Sequence, residues 1–120
     1  MFVGIDVGGA NTKIATSDGF VGSLYAPLWE DKESLYDVLT EVNHKFGTEI
    51  EAVGVVMTGE LSDCFETKRE GVLHIKDALS ATFEAPKFLD NKCSFKDGSE
   101  VDRGPLAFAA TNWLASAKLI

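Results

Sequence analysis

The sequence predicts a single α/β domain, and three observations support this. Three short apolar runs separated by tight turns open the chain, and helical and strand-like patterns then alternate to its end. Such alternation favours a sheet whose later strands are parallel and joined by right-handed crossovers. A length of 120 residues is enough for one domain with a real core. We therefore predict one domain over residues 1–120, with a mixed five-stranded sheet and the element order β-β-β-α-β-α-β-α.

The first three strands are predicted over residues 2–7, 12–17 and 20–26. Asp18-Gly19 supplies the turn between the second and third strands, and Pro27 ends the third. Short turns of this kind join antiparallel neighbours. We therefore expect an antiparallel meander at the start of the chain.

A helix and a central strand follow the meander. Apolar residues at helical spacing predict a helix that begins near Leu35 and ends at Gly47. Residues 51–58 form a nearly continuous apolar run, which is typical of a strand covered on both faces. We expect this strand to lie beside the first strand and parallel to it.

The last third of the chain is predicted to hold two helices and a short strand. Helical spacing of apolar residues indicates a second helix that Pro86 ends, and residues 87–90 indicate the fifth strand. Residues 94–101 are interpreted as a small excursion that turns at Asp97-Gly98. Asp102 is expected to cap the last helix, which runs to the end of the chain.

The last helix is apolar around most of its circumference from Leu106 to Ile120. A helix of this kind needs burial on more than one side. Trp113 is interpreted as a core residue, and Asn112 as a residue in the middle of the helix that contacts a ligand or a second half of the protein. Because exposed apolar patches favour self-association, we expect homo-oligomers, or pairing with a second half, through this helix.

Composition and charge restrict the classes of partner. The net charge of −8 opposes binding to nucleic acid and to anionic membranes. No apolar run approaches the roughly 20 residues that a membrane helix needs. Cys64 and Cys93 lie far apart in the sequence and match no metal-ligand spacing. We therefore expect a cytoplasmic protein with both thiols reduced.

The most informative stretch lies between the first two strands, at residues 6–13. The apolar run at the start of the chain contains one carboxylate, Asp6, and a Gly-Gly turn follows it closely. Glycines permit φ > 0 and a close approach of the backbone to an anion, and successive N–H groups in such a turn form an anion-binding nest. Asp6 is the candidate ligand of Mg²⁺, a cation that bridges phosphate oxygens. The candidate phosphate-binding residues are Gly8, Gly9, Ala10, Asn11, Thr12 and Lys13.

Two alternatives stay open for this hairpin. Gly8-Gly9 is also a common tight turn, and the Asp6 carboxylate is also able to cap the turn backbone. Lys13 lies on the opposite strand face from Thr12, which would take it away from a phosphate held by Thr12.

A second group of candidates follows the central strand. Thr58 and Gly59 stand where this strand ends, and ligands of open α/β sheets bind outside the carboxyl ends of strands. Glu60 and Asp63 are candidate catalytic carboxylates, together with Asp6, and either of the two is a candidate general base. The alternative is that Ser62 and Asp63 merely cap the following helix.

The residues D-V-G-G-A-N-T-K at 6–13 resemble the first phosphate motif of the actin/Hsp70/sugar-kinase superfamily, and within it the hydantoinase/oxoprolinase-like branch. Residues 55–68 and 109–115 resemble archaeal transferases of methanofuran biosynthesis, a family also linked to tetrahydromethanopterin-dependent one-carbon transfer. The resemblance covers essentially the whole chain. It implies a ribonuclease H-like (actin-like ATPase) subdomain that binds Mg²⁺ and either ATP or a diphosphorylated substrate. It also implies a second unit with a second phosphate loop past Ile120, which leads us to expect the N-terminal part of a longer enzyme.

Several functions are compatible with this resemblance. The first is a transferase that condenses an aminomethylfuran diphosphate with γ-glutamyltyramine and releases pyrophosphate. The others are an ATP-dependent hydantoinase/oxoprolinase-like hydrolase or sugar-kinase-like ATPase, a non-catalytic actin-like module, and a ribonuclease H-like nuclease. The glycine pair and the acidic surface argue against the nuclease. Fold-level analogy alone does not separate these functions.

Overall fold

The chain folds into one mixed sheet with helices packed on it. The structure is a computed structural model that describes residues 1–119. The strands and helices, in chain order, are β1 (Phe2–Val7), β2 (Asn11–Thr16), β3 (Val21–Tyr25), α1 (Ser34–Phe46), β4 (Ala52–Met57), α2 (Lys68–Thr82), β5 (Lys87–Leu89), β6 (Phe95–Lys96), α3 (Gly98–Arg103) and α4 (Thr111–Leu119). Short 3₁₀ turns lie at Gly47–Glu49, Gly59–Leu61 and Pro105–Phe108.

The sheet has the strand order β3-β2-β1-β4-β5-β6. β1 pairs antiparallel with β2, and β2 pairs antiparallel with β3, which confirms the predicted meander. β4 lies beside β1 and parallel to it, as predicted, and β5 continues the parallel part of the sheet. The carboxyl ends of β1 and β4 therefore lie side by side, and we call this end of the sheet the carboxyl edge.

The hydrophobic core lies between one face of the sheet and helices α1 and α2. Alternate residues of β1 and β4 are buried, among them Val7, Val55 and Met57. α1 contributes Leu35 and Leu39 at helical spacing. Removal of this apolar surface from water is the main stabilising contribution to such a fold.

The opposite face of the sheet is open within residues 1–119. Phe2, Tyr25 and Phe95 are exposed on it, and Ala52 of β4 is exposed there as well. The prediction that the central strand is covered on both faces is therefore wrong for the described chain. A continuous apolar run does not distinguish two-sided from one-sided burial when the outward residues are as small as Ala52 and Gly54.

The prediction of five strands is also wrong, because Phe95–Lys96 pairs antiparallel with β5 as a sixth strand. Asp90 accepts the backbone N–H groups of Lys92 and Ser94 through Oδ1, each at 2.9 Å. This Asx-type turn sends the chain straight back along β5. The sequence pattern here is too short to show a two-residue strand.

The predicted last helix is broken into three pieces. α3 begins after Asp97, well before the expected cap at Asp102, and Asp102 instead forms an ion pair with Lys76 at 2.7 Å. Gly104 leaves the helical region at φ −149° and ψ 70°, and Ala110 adopts a left-handed φ of 55°. The predicted helix over 102–120 is therefore replaced by α3, a 3₁₀ turn and α4.

Self-association is the expected consequence of the exposed apolar residues. Trp113 of α4 is 73% exposed, so its interpretation as a core residue is wrong for the described chain. Leu119 and Ile120 of the expected contact face lie outside the described side chains. Sedimentation velocity at high concentration should show dimers or larger species. Trp113→Ser should weaken them, and Trp29→Ser, which removes an exposed tryptophan far from α4 in the sequence, should not. A strict monomer at high concentration would contradict this expectation.

Candidate functional site

The Gly-Gly turn projects from the carboxyl edge and is braced from one side. Its Gly9 and Ala10 carbonyls accept the N–H groups of Leu28 and Ala26, at 2.8 and 2.9 Å. The Gly8 N–H donates across the turn to the Asn11 carbonyl, at 3.0 Å. Within residues 1–119, the N–H groups of Gly9 and Ala10 donate to no acceptor. Two backbone donors are thus free for an anion, and Gly8 does not supply a third.

Both glycines are needed here for space rather than for a left-handed backbone. Neither Gly8 nor Gly9 has a positive φ, so the turn does not use the left-handed conformation that glycine permits. A Cβ on Gly8 would lie 2.9 Å from the Asn11 carbonyl oxygen, and one on Gly9 would lie 3.0 Å from Ser62 Oγ. The turn therefore packs tightly on itself and on the segment that follows β4.

Asp6 is half-buried at the base of the turn, and its Oδ1 is buried without a hydrogen-bond partner among the described residues. Burial raises the pKa of the Asp6 carboxyl, since the charged form loses hydration. The positive charge of Lys13 and the side chain of Asn112 act in the opposite direction and lower the pKa. A buried acceptor without a donor is costly, so Asp6 is suited to a ligand that brings a donor or a positive charge.

The strand register places two of the candidate phosphate-binding residues on opposite faces of the sheet. Thr12 is fully buried on the core face, and its Oγ has no partner within the described chain. Lys13 lies opposite Asp6 across the β1–β2 ladder, so the two share the open face. The prediction that Lys13 and Thr12 face opposite ways is confirmed. Lys13 is thus the residue that shares the face of Asp6, and Asn11 is exposed on the same strand.

The residues after β4 lie against the hairpin. Thr58 N–H donates to the Val7 carbonyl at 2.9 Å, which extends the β1–β4 ladder to the carboxyl edge. A Cβ on Gly59 would lie 2.8 Å from a methyl carbon of Leu28 and 3.1 Å from the Gly8 carbonyl oxygen. The structure therefore brings Thr58 and Gly59 to the turn, as the sequence predicts.

The two candidate carboxylates beyond β4 occupy different environments. Glu60 is only 2% exposed; its Oε1 accepts the Ala110 N–H at 2.5 Å, and its Oε2 has no partner among the described residues. Burial raises the pKa of Glu60, and the hydrogen bond from Ala110 and the charge of Lys68 lower it. Asp63 is exposed to solvent, where a carboxylate is free to meet a substrate.

The raised pKa of Glu60 predicts how Glu60→Gln changes stability with pH. The folded protein holds the Glu60 proton more tightly than the unfolded chain, so this group stabilises the fold at low pH and loses that contribution as pH rises through the raised pKa. Gln does not ionise. The quantity to follow is the free energy of unfolding of Glu60→Gln minus that of wild type, measured by urea denaturation from pH 4 to pH 8. This difference should rise with pH. A pH-independent difference would contradict the burial of an ionisable Glu60.

Two residues at the start of α4 complete the site. Thr111 was not predicted to do so, and Asn112 was predicted to contact a ligand or a second half from the middle of a helix. Thr111 is buried, and its Oγ accepts the Met57 N–H at 3.2 Å. Asn112 Nδ2 donates to Thr58 Oγ at 3.3 Å, and its amide also interacts with Asp6, although that pair falls short of a well-formed hydrogen bond. Asn112 thus stands in the first turn of α4 and not in the middle of a helix. The run Ala-Thr-Asn was the available signal, because Thr is a common residue at helix starts.

The donor set suits a hard cation only in part. Asp6 Oδ1 and Asn112 Oδ1 are buried oxygen acceptors without partners in the described chain, and oxygen ligands are those that Mg²⁺ prefers. Residues 1–119 hold no group of three or more His, Cys, Asp or Glu side chains placed to bind one metal ion. A Mg²⁺ ion would therefore be held through one carboxylate, with water and phosphate oxygens as its other ligands.

The fold and the site together define a mixed α/β domain with a glycine hairpin at the carboxyl edge of its two central strands. The chain is similar over its whole length to a protein of Methanocaldococcus jannaschii named (4-{4-[2-(gamma-L-glutamylamino)ethyl]phenoxymethyl}furan-2-yl)methanamine synthase. The two are 38% identical over 124 residues, which cover 100% of this chain and 36% of the relative. The chain thus spans about a third of the length of the curated relative it matches. No protein-family model matches the chain. No helix in the described part is long and apolar enough to cross a membrane.

Proposed function

We propose that this chain is the phosphate-binding part of a transferase of methanofuran biosynthesis that condenses a furanmethyl diphosphate with γ-glutamyltyramine. The observation that carries the proposal is the braced hairpin, whose two free N–H groups lie in the turn between the strands that bear Asp6 and Lys13. The chain is also similar throughout to the M. jannaschii synthase. The name of that synthase describes an aryl ether between a phenoxy group and a furan-bearing methylene carbon. The proposed condensation forms this bond.

The reaction balances without an oxidant or reductant. The phenol oxygen of the tyramine group bonds to the methylene carbon, the bond from that carbon to the diphosphate oxygen breaks, and pyrophosphate leaves with the electron pair. The phenol proton passes to a general base. The furan ring stabilises positive charge at the reacting carbon, so the protein's main tasks are to hold the leaving group and to accept a proton.

The residues of the carboxyl edge are proposed to divide these tasks. The N–H groups of Gly9 and Ala10 hold the diphosphate as it gains charge. Lys13 neutralises part of that charge from the face it shares with Asp6. Asp63 is the proposed base, because it is exposed while Glu60 is buried with one oxygen committed to Ala110. Mg²⁺ held by Asp6 would supply further positive charge to the phosphate oxygens.

The same proposal extends to the fold and its partner. An antiparallel meander β3-β2-β1 continued by parallel β4 and β5 supports a ribonuclease H-like, actin-like subdomain. The open sheet face supports pairing with a second unit that the longer relative would carry.

Calorimetric titration with pyrophosphate, with and without Mg²⁺, tests the proposed function directly. We expect weak, Mg²⁺-dependent binding, since a single phosphate loop leaves an open, wet site where charge interactions are weak. Lys13→Ala should weaken binding by about fivefold, the scale of one partly exposed charge. Lys92→Ala, an exposed lysine in the β5–β6 turn, is the matched control and should not change it. Binding equally strong without Mg²⁺, or unchanged by Lys13→Ala, would contradict the proposed site.

A further inference from the structure

We propose that Asn112 is a positioning residue of the phosphate site and that the buried Glu60 holds it in place through the backbone of Ala110. The proposal takes the identity of the anion from the proposed function. The geometry of the segment that precedes α4 supplies the rest.

A hydrogen bond joins the Glu60 side chain to the backbone of Ala110. Glu60 is 2% exposed, and an isolated buried carboxyl is costly, so a specific contact is needed to justify its place. That contact is the Ala110 N–H, 2.5 Å from Oε1. Ala110 has a φ of 55°, a left-handed conformation that residues with a Cβ rarely adopt. The bond to Glu60 therefore stabilises a strained backbone at one point of the chain.

The backbone turn at Ala110 determines where α4 begins. The helix begins at the next residue, Thr111, whose hydroxyl oxygen accepts the N–H of Met57 at 3.2 Å. Asn112 then donates to the hydroxyl oxygen of Thr58, at 3.3 Å. The turn at Ala110 and these two bonds fix the first turn of α4 on the end of β4. Asn112 is thereby placed at the carboxyl edge, although it is 106 positions from Asp6 in the sequence.

The interacting side chains of Asp6 and Asn112 each carry an oxygen that needs a hydrogen-bond donor. Asp6 Oδ1 and Asn112 Oδ1 are both buried and lack a donor among residues 1–119. An unsatisfied buried acceptor costs stability, and two on interacting side chains indicate a site that expects donors from outside the chain. Water carried by a hydrated cation with a phosphate anion supplies such donors. Asn112 would thus orient the Asp6 carboxyl and share its ligand.

Three variants test the proposal: Asn112→Ala, Glu60→Ala and Glu60→Gln. The affinity for Mg²⁺ and pyrophosphate is measured by calorimetry, and the Ala110 N–H and the Asn112 side-chain amide are followed by NMR. Asn112→Ala should weaken binding by about tenfold, the value of one hydrogen bond to a charged group, and leave the Ala110 signal in place. Glu60→Ala should weaken binding similarly and shift both NMR signals. Glu60→Gln keeps an acceptor for Ala110 and should restore binding and both signals.

The outcomes separate this proposal from the proposed function. Glu84→Ala, an exposed glutamate just after α2, is the control and should change nothing. If wild type binds Mg²⁺ and pyrophosphate but Asn112→Ala or Glu60→Ala binds as well, Asn112 is not a positioning residue. If wild type does not bind, the proposed function fails, and the NMR signals still decide this proposal. An Asn112 amide signal that is unchanged in Glu60→Ala would then overturn it.

Discussion

Asp6→Asn is expected to lower the turnover of the proposed reaction by roughly 100-fold or more, the scale seen when one key charge-stabilising group is removed. Asp6 is the carboxylate at the base of the hairpin, and its Oδ1 has no partner among the described residues. Asn has nearly the same shape but no charge to offer Mg²⁺. In the binding experiment, the Mg²⁺ dependence of pyrophosphate affinity should disappear. The measurements are steady-state turnover in the shortest form of the protein that is active, and calorimetry on this chain.

The same substitution should not destabilise the fold at neutral pH. Burial raises the pKa of Asp6, so the ionised form is disfavoured in the folded state, and its contribution to stability is lost as pH rises through the raised pKa. Removal of the charge should leave the free energy of unfolding at pH 7 unchanged or higher. Lower function with undiminished stability is the signature of a binding group rather than a turn cap. Glu41→Gln removes an exposed charge on α1 and serves as the control. Full turnover in a folded Asp6→Asn protein would reduce Asp6 to a cap.

Sequence patterns were sufficient for the parts of the fold that depend on local periodicity. β1 matches its predicted bounds at Phe2–Val7, and β4 and α1 are each within about one or two residues of theirs. The parallel neighbourhood of β1 and β4 followed from short turns and crossover chirality, which depend little on particular side chains. This placement alone brought Asp6 and Thr58 to one edge.

The failures in the path of the chain after α2 occur where one residue's backbone conformation decides that path. Cys93 and Ala110 adopt left-handed φ values of 61° and 55°. Neither Cys nor Ala favours this conformation, so the residue type does not predict it. The first contributes to the turn that returns β6 along β5, and the second ends one segment and starts α4. The turn at Cys93 is held by local bonds to Asp90, and the conformation of Ala110 is held by its bond to Glu60, so the periodicity of apolar residues reveals neither.

The candidate site was predictable in its carboxylate and glycines but not in its faces. Alternation separates Thr12 from Lys13, yet only the pairing of Lys13 with Asp6 shows which one reaches the open face. The burial of Glu60 was also hidden, because it depends on Gly71 in a different element. Asn112 was assigned to a helix interior because a single long helix was predicted over 102–120.

Gly71→Ala is expected to produce the largest loss of stability. Gly71 is buried in the first turns of α2, where Ala should be favoured by about 1 kcal/mol on helix propensity alone. A Cβ at this position, however, would lie 2.6 Å from Glu60 Cα and 2.8 Å from Glu60 O. These are backbone atoms, which have no rotamer into which to move. Steric overlap of this kind in a packed interior costs about 1–3 kcal/mol or more, so the clash should exceed the gain in propensity.

We therefore expect Gly71→Ala to lower the free energy of unfolding by roughly 2 kcal/mol and the thermal midpoint by roughly 10 °C. Gly98→Ala is the matched control, because Gly98 also begins a helix but its Cβ would meet only Lys76 and Ser80 side-chain atoms at 3.4 Å. That variant should be neutral or slightly stabilising. The Ala110 N–H signal should also shift in Gly71→Ala, since displacement of Glu60 moves the acceptor of that bond. If the Gly71→Ala protein proves as stable as the Gly98→Ala protein, α2 and the Gly59–Leu61 turn separate easily. Glu60 is then not held where the site needs it.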